Sequence, residues 1–240
     1  MTFKFSDFFN VRLVFERIPK LLAYLPITLE LSIVSMIIAL LLGLLVAIIR
    51  VKKINVLSQI AVAYLSIIRG TPMIIQLYIA YYGVPMILRL INPNANLTTV
   101  PGIVYAFVAL GIYESAFTSE TIRAAIQAVD RGEIEAATAM GMRYSQILRR
   151  VIIPSALEIA VPGLINSFIG LIKGTSLASA CGVVELTYEN SIISGRDYRY
   201  LEGYVALAII YWIITFVLER IQKRVEAEIR IPDQAPELCK

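Results

Sequence analysis

A long apolar stretch over residues 26–49 is the feature that most constrains this chain. About 20 helical residues cross the hydrocarbon core of a bilayer, so this stretch can span a membrane. Further apolar stretches cover residues 56–88, 101–125, 154–177 and 204–218. Apolar residues make up 58% of the chain, whereas soluble domains are about 45–50% apolar. The sequence therefore predicts an all-α integral membrane protein with five transmembrane helices.

The second apolar stretch, residues 56–88, is too long for one straight crossing, since a helix of that length extends about 50 Å. An Arg-Gly-Thr-Pro segment, residues 69–72, interrupts it. Glycine and proline free backbone carbonyls, which membrane depth tolerates only where protein or water surrounds them. Packing of a kinked helix accounts for the glycine and the proline but not for Arg69 and Gln76. A broken helix beside a water-filled path is therefore predicted.

The first residues alternate aromatic and charged side chains over residues 3–22. Such a pattern predicts a helix that lies along the membrane interface with its apolar side in lipid. We divide the chain into this interfacial helix (residues 1–22), a transmembrane domain (residues 23–225) and a cytoplasmic tail (residues 226–240). The apolar and charged residues on which the helix is predicted are Phe5, Phe8, Phe9, Leu13, Phe15, Arg12, Glu16, Arg17 and Lys20.

The fourth predicted helix carries a polar stripe. At 100° per residue, Glu158, Pro162, Asn166 and Lys173 lie within about 80° of one another. An ionised side chain exposed to lipid costs about 2.5–3.5 kcal/mol, so such a stripe usually faces the bundle interior or water. Two positions for Glu158 stay open: the path, where it would favour a cationic group, or the cytoplasmic interface near the helix N-terminus.

One long polar segment, residues 130–154, separates the third and fourth apolar stretches. Asp130 is predicted to cap a short helix, with Glu133 completing a capping box. Gly141 would end this helix in the left-handed conformation. Ser145 would cap a second short helix that ends before the fourth span. Small residues on the first helix would allow another protein to approach closely.

The same segment resembles the EAA loop of ABC importer permeases. Glu135, Ala136 and Ala137 are followed by Gly141 and Pro154 at the spacing of that loop. By this resemblance the segment contacts an ATPase subunit. The coupling residues that the resemblance implies are Glu135, Ala136, Ala137, Gly141, Arg143 and Pro154.

Two further segments resemble the polar amino acid branch of these permeases. Residues 69–77, RGTPMIIQL, resemble its RGTPxxxQL pattern, and residues 116–126, AFTSETIRAAI, resemble AYxAEIxRGGI. The second segment contains Glu120 and Arg123, which are predicted to pair as part of the structure or of a gate. This chain departs from the branch with Glu158, where a basic residue is frequent, and with Gly174, where Asp is frequent. We expect the substrate path to be lined by Arg69, Thr71, Gln76, Glu158, Asn166 and Lys173.

The resemblance implies the permease subunit of an ATP-binding-cassette importer. Its partners would be two ATPase subunits, an external amino-acid-binding protein and a second permease copy, identical or homologous. No nucleotide motif or catalytic constellation occurs in the sequence, so we expect ATP and Mg²⁺ to bind the partner ATPase and no enzymatic activity in this chain. Cationic amino acids, glutamine and cystine remain open as substrates. An ion-coupled secondary transporter is the alternative, although no internal repeat of the span pattern is evident.

Charge placement predicts the topology. Arg50, Lys52 and Lys53 follow the first span directly, which places that end in the cytoplasm. The N-terminus is then outside the cell membrane, the C-terminus is cytoplasmic, and residues 178–200 form a polar outer loop. Basic residues are spread among loops rather than clustered with aromatics, which argues against nucleic acid binding. With no histidine and two isolated cysteines, no metal site and no disulfide are expected.

Overall fold

A computed structural model describes residues 9–92 and 100–229. Within these ranges every regular element is helical. Two π-helical turns, Ile79–Gly83 and Leu148–Ile152, and a 3₁₀-helix, Thr175–Cys181, interrupt the α-helices. In chain order the α-helices are α1 (Val11–Leu22), α2 (Leu25–Val51), α3 (Asn55–Gly70), α4 (Met73–Tyr78), α5 (Val84–Ile91), α6 (Gly102–Ala128), α7 (Arg131–Ala139), α8 (Tyr144–Ile147), α9 (Ile153–Gly174), α10 (Leu186–Asp197) and α11 (Tyr200–Ile229).

Five helical stretches in the described part of the chain are long and apolar enough to cross a membrane. They correspond in order to the five predicted spans, which confirms the all-α membrane fold class. The second predicted stretch is broken as expected, because α3 ends at Gly70 and Pro72 caps α4. The five stretches are Leu25–Val51, Met73–Ile91, Gly102–Ala128, Tyr144–Cys181 and Tyr200–Ile229.

Helix α6 lies at the centre of the bundle and packs along α2. Ser35, Ala39, Gly43 and Ala47 of α2 recur every four residues, so they form one face of small side chains. Small residues let two membrane helices approach closely. The Thr118 hydroxyl of α6 donates to the Ala39 carbonyl at 3.0 Å. A methyl group at Gly43 would overlap the same hydroxyl, so the close approach requires glycine here.

Helices α1, α10 and α11 form a second packed region, which we call the α1–α10–α11 block. Val14 and Leu21, two turns apart on α1, are buried against Leu186 and Leu207. Part of the apolar side of α1 is therefore covered by the protein and not by lipid, whereas Phe15, which the prediction names, is 63% exposed. The reason is that α10 and α11 supply an apolar surface that lies far away in the sequence. Residues 1–8 of the predicted interfacial helix lie outside the described residues.

The prediction of a polar loop over residues 178–200 is also wrong. The 3₁₀-helix continues to Cys181, Gly182 turns the chain with a φ of 70°, and α10 follows. Glu185 caps α10, since its carboxylate accepts from the backbone N–H groups of Thr187 and Tyr188 at 2.9 Å. Part of the polarity of this segment comes from side chains that are buried within the α1–α10–α11 block, namely Glu185, Asn190 and Ser194. Cys181 is a buried free thiol, and Cys239 lies outside the described residues.

Candidate functional site

The predicted coupling segment begins with α7. Asp130 is its N-cap, as predicted, and accepts from the Gly132 N–H at 2.8 Å. Gly141 follows the helix with a φ of 76°, which confirms the predicted left-handed residue. Glu133 does not complete the capping box with Asp130. Its carboxylate instead accepts from the Ser155 hydroxyl at 3.3 Å and so connects α7 to the start of α9.

The second predicted short helix differs from its prediction in both ends. Arg143 rather than Ser145 is the N-cap of α8, and its backbone N–H donates to the Gln146 side chain at 2.8 Å. Helix α8 does not end before the fourth span, because the π-helical turn Leu148–Ile152 continues directly into α9. A widened turn accommodates Pro154, whose ring clashes with the preceding turn of a regular helix and whose nitrogen cannot donate. Helices α8 and α9 are therefore joined by continuous helical backbone.

Helix α7 presents an exposed face at this end of the molecule. Glu135 and Ala136 are exposed, whereas Ala137 is 7% exposed and packs on the chain itself. Two large apolar side chains lie beyond the helix, Met140 at 84% exposure and Tyr144 at 70%. A short helix with an acid and small residues, followed by exposed apolar side chains, is suited to binding in a groove of another protein.

The break between α3 and α4 is stabilised by its own side chains. The Gln76 amide donates to the Ile68 carbonyl at 2.8 Å and to the Thr71 hydroxyl at 2.6 Å. The Thr71 hydroxyl donates in turn to the Ile67 carbonyl at 2.9 Å. These bonds satisfy carbonyls that the break leaves without a helical partner. Gln76 and Thr71 therefore have a structural role that the sequence analysis did not identify.

Charged side chains meet in a cavity of about 520 Å³ between α2, α3 and α6. Glu120 bonds to Arg123 at 2.8 Å, which confirms the predicted pair, and it also forms an ion pair with Arg50. The guanidinium of Arg69 lies over the Phe117 ring, 5.7 Å from its centroid. Arg50 served only as a topology signal in the sequence, and its partner became evident once α2 was packed on α6. We call this site the arginine cavity.

The polar stripe of α9 divides between two places. Asn166 and Lys173 are exposed on the surface of the chain. Glu158 is half-buried in a separate groove of about 420 Å³ that Glu133 and Glu226 also line. This groove lies beside α7, so Glu158 is close to the predicted coupling segment. The sequence placed these side chains on one face correctly but could not show which neighbour covers each part of it.

Helix α6 contains a buried acid that the sequence analysis did not assign to a site. Glu114 is 6% exposed and shares a hydrogen bond with Ser167 of α9. The contact lies between two spans, where a polar pair holds neighbouring helices together. Its signal in the sequence was an acid inside an apolar stretch, a feature that usually marks an inward-facing position.

Arg17 anchors the α1–α10–α11 block. Its side chain is 3% exposed and donates to both carboxylate oxygens of Asp197, at 2.8 and 2.6 Å. It also donates to the Ser194 hydroxyl at 2.9 Å and to the Arg199 carbonyl at 2.7 Å. Burial opposes ionisation of Asp197, but the bonds from Arg17 outweigh it and lower the pKa of this carboxyl. Gly203 leaves the space for the guanidinium, since a Cβ there would overlap it.

Glu185 is the second buried charge of the α1–α10–α11 block. It is fully buried, and this burial raises the pKa of its carboxyl to about 7. Bonds from the backbone N–H groups of Thr187 and Tyr188 act in the opposite direction, as does the Tyr211 hydroxyl. The carboxyl therefore titrates near neutrality while it caps α10.

The chain is similar to known membrane proteins over nearly its whole length. Residues 39–231 match the family described as "Binding-protein-dependent transport system inner membrane component". The probable amino-acid ABC transporter permease protein PatM of Vibrio harveyi is 37% identical over 92% of this chain and 96% of its own length. The L-cystine transport system permease protein TcyL of Bacillus subtilis is 34% identical over 92% of each chain. A crystal structure of an amino acid ABC transporter with histidines superimposes with a TM-score of 0.78 and 33% identity, covering 95% of this chain and 100% of that one.

Proposed function

Because the chain belongs to the family of binding-protein-dependent transport system inner membrane components, we propose that it is the permease subunit of an ATP-binding-cassette importer for polar amino acids. The names of its relatives support an amino acid as the substrate. Cationic amino acids, glutamine and cystine are the candidates. In this proposal ATP and Mg²⁺ bind to separate ATPase subunits, and this chain supplies the path through the membrane.

The exposed face of α7 is the observation that carries the proposal. Glu135 and Ala136 are available to a groove of the ATPase, while Gly141 lets the chain turn back tightly after the contact. Ala137 packs inward and holds α7 in place. Arg143 caps α8 through its backbone, and the widened turn beside Pro154 joins the contact to α9.

The connections of α7 suggest how movement is transmitted. The bond from Ser155 to Glu133 and the continuous passage from α8 into α9 make the coupling segment part of the fourth span. ATP-driven closure of two ATPases would draw two such segments together and open the path outward. Hydrolysis would allow the return to the inward-facing state. The ATPase stabilises one of two packings of the helices, which is what a conformational switch requires.

Charge placement supports a cytoplasmic location for α7. Lys52 and Lys53 follow α2 at the end where α7 and α8 lie. Glu226, near the end of α11, lines the same groove as Asp130. An excess of basic residues marks the cytoplasmic side of membrane proteins. We infer an outside N-terminus and a cytoplasmic C-terminus in the cell membrane.

The exposed polar residues of the spans support a second permease copy, either identical or homologous. Asn166 and Lys173 would be costly in lipid but not beside an aqueous path between two copies. The stretch Met73–Ile91 also has only 6% of its most apolar part buried within the chain, so much of it is available to lipid or a partner. We assign Arg69, Asn166 and Lys173 to the path, Thr71 and Gln76 to its broken helix, and Glu158 to its cytoplasmic end.

Reconstituted transport tests the proposal directly. Proteoliposomes would contain this chain, its ATPase subunits and its binding protein, and uptake of labelled arginine, glutamine and cystine would be measured. We expect uptake of at least one of them to require ATP and Mg²⁺ on the ATPase side. Uptake that persists without ATP and collapses with an uncoupler would instead identify an ion-coupled secondary transporter.

A variant pair tests the coupling role of α7. Ala136→Arg places a long charged side chain on the proposed ATPase contact, and Ser191→Arg places the same side chain at an exposed position of α10. We expect Ala136→Arg to lower ATP-driven uptake more than tenfold and Ser191→Arg to change it less than twofold. Equal uptake by both variants would contradict the coupling role.

A further inference from the structure

The arginine cavity contains more positive than negative charge. Arg50, Arg69 and Glu120 line the cavity. Arg123, beside the lining, pairs with Glu120, so three positive groups accompany one acid and leave a formal excess of two. Arg50 experiences electrostatic repulsion from both Arg69 and Arg123. Like charges this close are unfavourable away from bulk water, so an anion in the cavity would relieve their repulsion.

Arg69 is the arginine that is available to such an anion. Glu120 is shared between Arg50 and Arg123 through its two carboxylate oxygens. Among the residues that the structure describes, Arg69 has no carboxylate partner and lies over the ring of Phe117. A cation–π contact does not use the N–H groups of a guanidinium as hydrogen-bond donors, and these groups match a carboxylate in a bidentate geometry. Its side chain is exposed and lines the cavity.

The depth of the cavity discriminates between sources of the anion. Glu120 lies two helical turns before the end of α6 at Ala128, which corresponds to about 12 Å at 1.5 Å per residue. Phe117 and Arg69 lie a further turn away from that end. A lipid phosphate stays at the headgroup level, outside the hydrocarbon core. Arg50 is the last residue but one of α2, so a lipid phosphate can reach only that end of the cavity. A carboxylate on a transported molecule can also reach Arg69.

We propose that the arginine cavity binds the α-carboxylate of the transported amino acid in the inner half of the path. Arg69 contributes the principal ion pair, and the hydroxyl of Ser66, which also lines the cavity, is placed to donate a further hydrogen bond. The volume of about 520 Å³ leaves room for amino acid side chains of different size. The inference rests on the proposed function and extends it by naming the substrate group and its site.

Glu120 would keep this binding weak enough for release. It competes with the ligand for Arg50 and Arg123, so only part of the positive charge is available to the bound carboxylate. A transport site must attract its substrate without trapping it. The α-carboxylate is common to all amino acids, so the cavity would serve the class while other residues and the binding protein select the side chain.

Uptake by an Arg69 series is the first test. In proteoliposomes with the complete transporter, we expect Arg69→Gln to lower ATP-driven uptake more than tenfold and Arg69→Lys to retain part of it. Arg220→Gln is the matched control, because Arg220 lies over the Phe216 ring at 5.0 Å in the same type of contact on another helix. It should change uptake less than twofold. If Arg69→Gln takes up the amino acid as fast as the wild type, the inference fails and the proposed function stands. If the wild type takes up no amino acid, the proposed function is contradicted.

Direct binding separates a carboxylate site from a structural role. The permease–ATPase complex without binding protein would be titrated with the amino acid that the wild type transports and with its α-carboxamide. We expect the wild type to prefer the carboxylate at least tenfold and Arg69→Gln to lose this preference. Ser66→Phe fills the cavity and keeps all four charged groups, so it should also lose the preference for the carboxylate. If Arg69→Gln does not assemble with the ATPase, Ser66→Phe still tests whether the cavity binds the carboxylate.

Two outcomes would overturn the proposal. The first is equal binding of the carboxylate and the carboxamide by the wild type. The second is a preference that both Arg69→Gln and Ser66→Phe retain. A titration with phosphatidylglycerol in nanodiscs completes the test, since displacement of the amino acid by this lipid would identify a headgroup site instead.

Discussion

Arginines determine the local charge in two regions of this molecule, and their surroundings are opposite. In the α1–α10–α11 block, Arg17 donates to Asp197, Ser194 and a backbone carbonyl, so its charge is matched. In the arginine cavity, Arg50 and Arg123 share Glu120, and Arg69 has no acid partner among the described residues. A charge with a full set of partners holds one packing in place, whereas an excess of charge leaves capacity for a ligand. The first region is suited to rigidity and the second to binding.

The largest expected effect is the loss of the matched charge. Arg17→Gln leaves Asp197 without its ion-pair partner and should lower the free energy of unfolding by about 3 kcal/mol, the lower end for a buried pair. We choose the lower end because the Asp197 side chain is 43% exposed. Thermal unfolding of the purified chain in detergent measures this.

The matched control is Arg12→Gln. Arg12 pairs with Glu16 on the same helix but is 85% exposed, and such surface pairs contribute little. A loss of stability in Arg12→Gln as large as in Arg17→Gln would show that burial does not distinguish the two arginines.

The pH dependence of the α1–α10–α11 block comes from Glu185. Its pKa is raised to about 7 in the folded chain, so between about pH 4.5 and 7 the folded state binds more protons than the unfolded state. Stability should therefore be greatest below about pH 4.5 and fall as the pH rises to 7. Between pH 5 and pH 8 the loss should be about 2.7 kcal/mol, since about two units separate 5 from 7 and one unit corresponds to about 1.36 kcal/mol. Unfolding temperatures near pH 5 and pH 8 measure the difference. Glu185→Gln should remove it, and an unchanged slope in that variant would contradict the assignment.

A substitution that fills the space around Arg17 should have a smaller effect on the free energy of unfolding. Gly203→Ala places a methyl group where it would overlap the Arg17 guanidinium and the Asn190 side chain. Overpacking of this kind typically costs about 1–3 kcal/mol, and we expect about 1 kcal/mol because a long side chain can shift. Gly195→Ala is the control, since its methyl meets only Tyr200 at 3.9 Å. If the two variants unfold at the same temperature, Gly203 does not set the position of Arg17.

The smallest expected effect on stability concerns the arginine cavity itself. Arg69→Gln removes an arginine without an acid partner among the described residues, so the free energy of unfolding should change by less than about 0.5 kcal/mol. Unfolding of this variant would be measured beside Arg17→Gln under the same conditions. A large loss of stability in Arg69→Gln would mean that the two regions use their arginines in the same way.

Much of the membrane fold could be predicted because it depends on local properties of the sequence. The span over residues 26–49 is observed as Leu25–Val51, and the break at residues 69–72 separates α3 from α4. Hydropathy and helix-breaking residues act within a few turns, so membrane spans and helix breaks can be predicted without knowledge of the tertiary contacts. Gly141 likewise ends its helix through its own backbone conformation.

The candidate sites could be predicted only in part. The Glu120 and Arg123 pair lies on one helix face and was evident from its spacing, whereas Arg50 joins it from another helix. Gln76 was singled out as polar, but its bond to the Ile68 carbonyl appears only when the break is folded. The relative position of two side chains on one helix follows from their spacing in the sequence, whereas the position of a second helix does not.

The sequence by itself determined the membrane class, the number of spans, the broken second helix and the exposed coupling segment. Only the tertiary structure decided that α1 packs against α10 and α11, that residues 186–197 form a helix rather than a loop, and which arginines are matched. The physical reason is distance along the chain: Arg17 and Asp197 are 180 residues apart. Hydropathy is a property of each segment, whereas the partner of a buried charge depends on which segments the fold brings together.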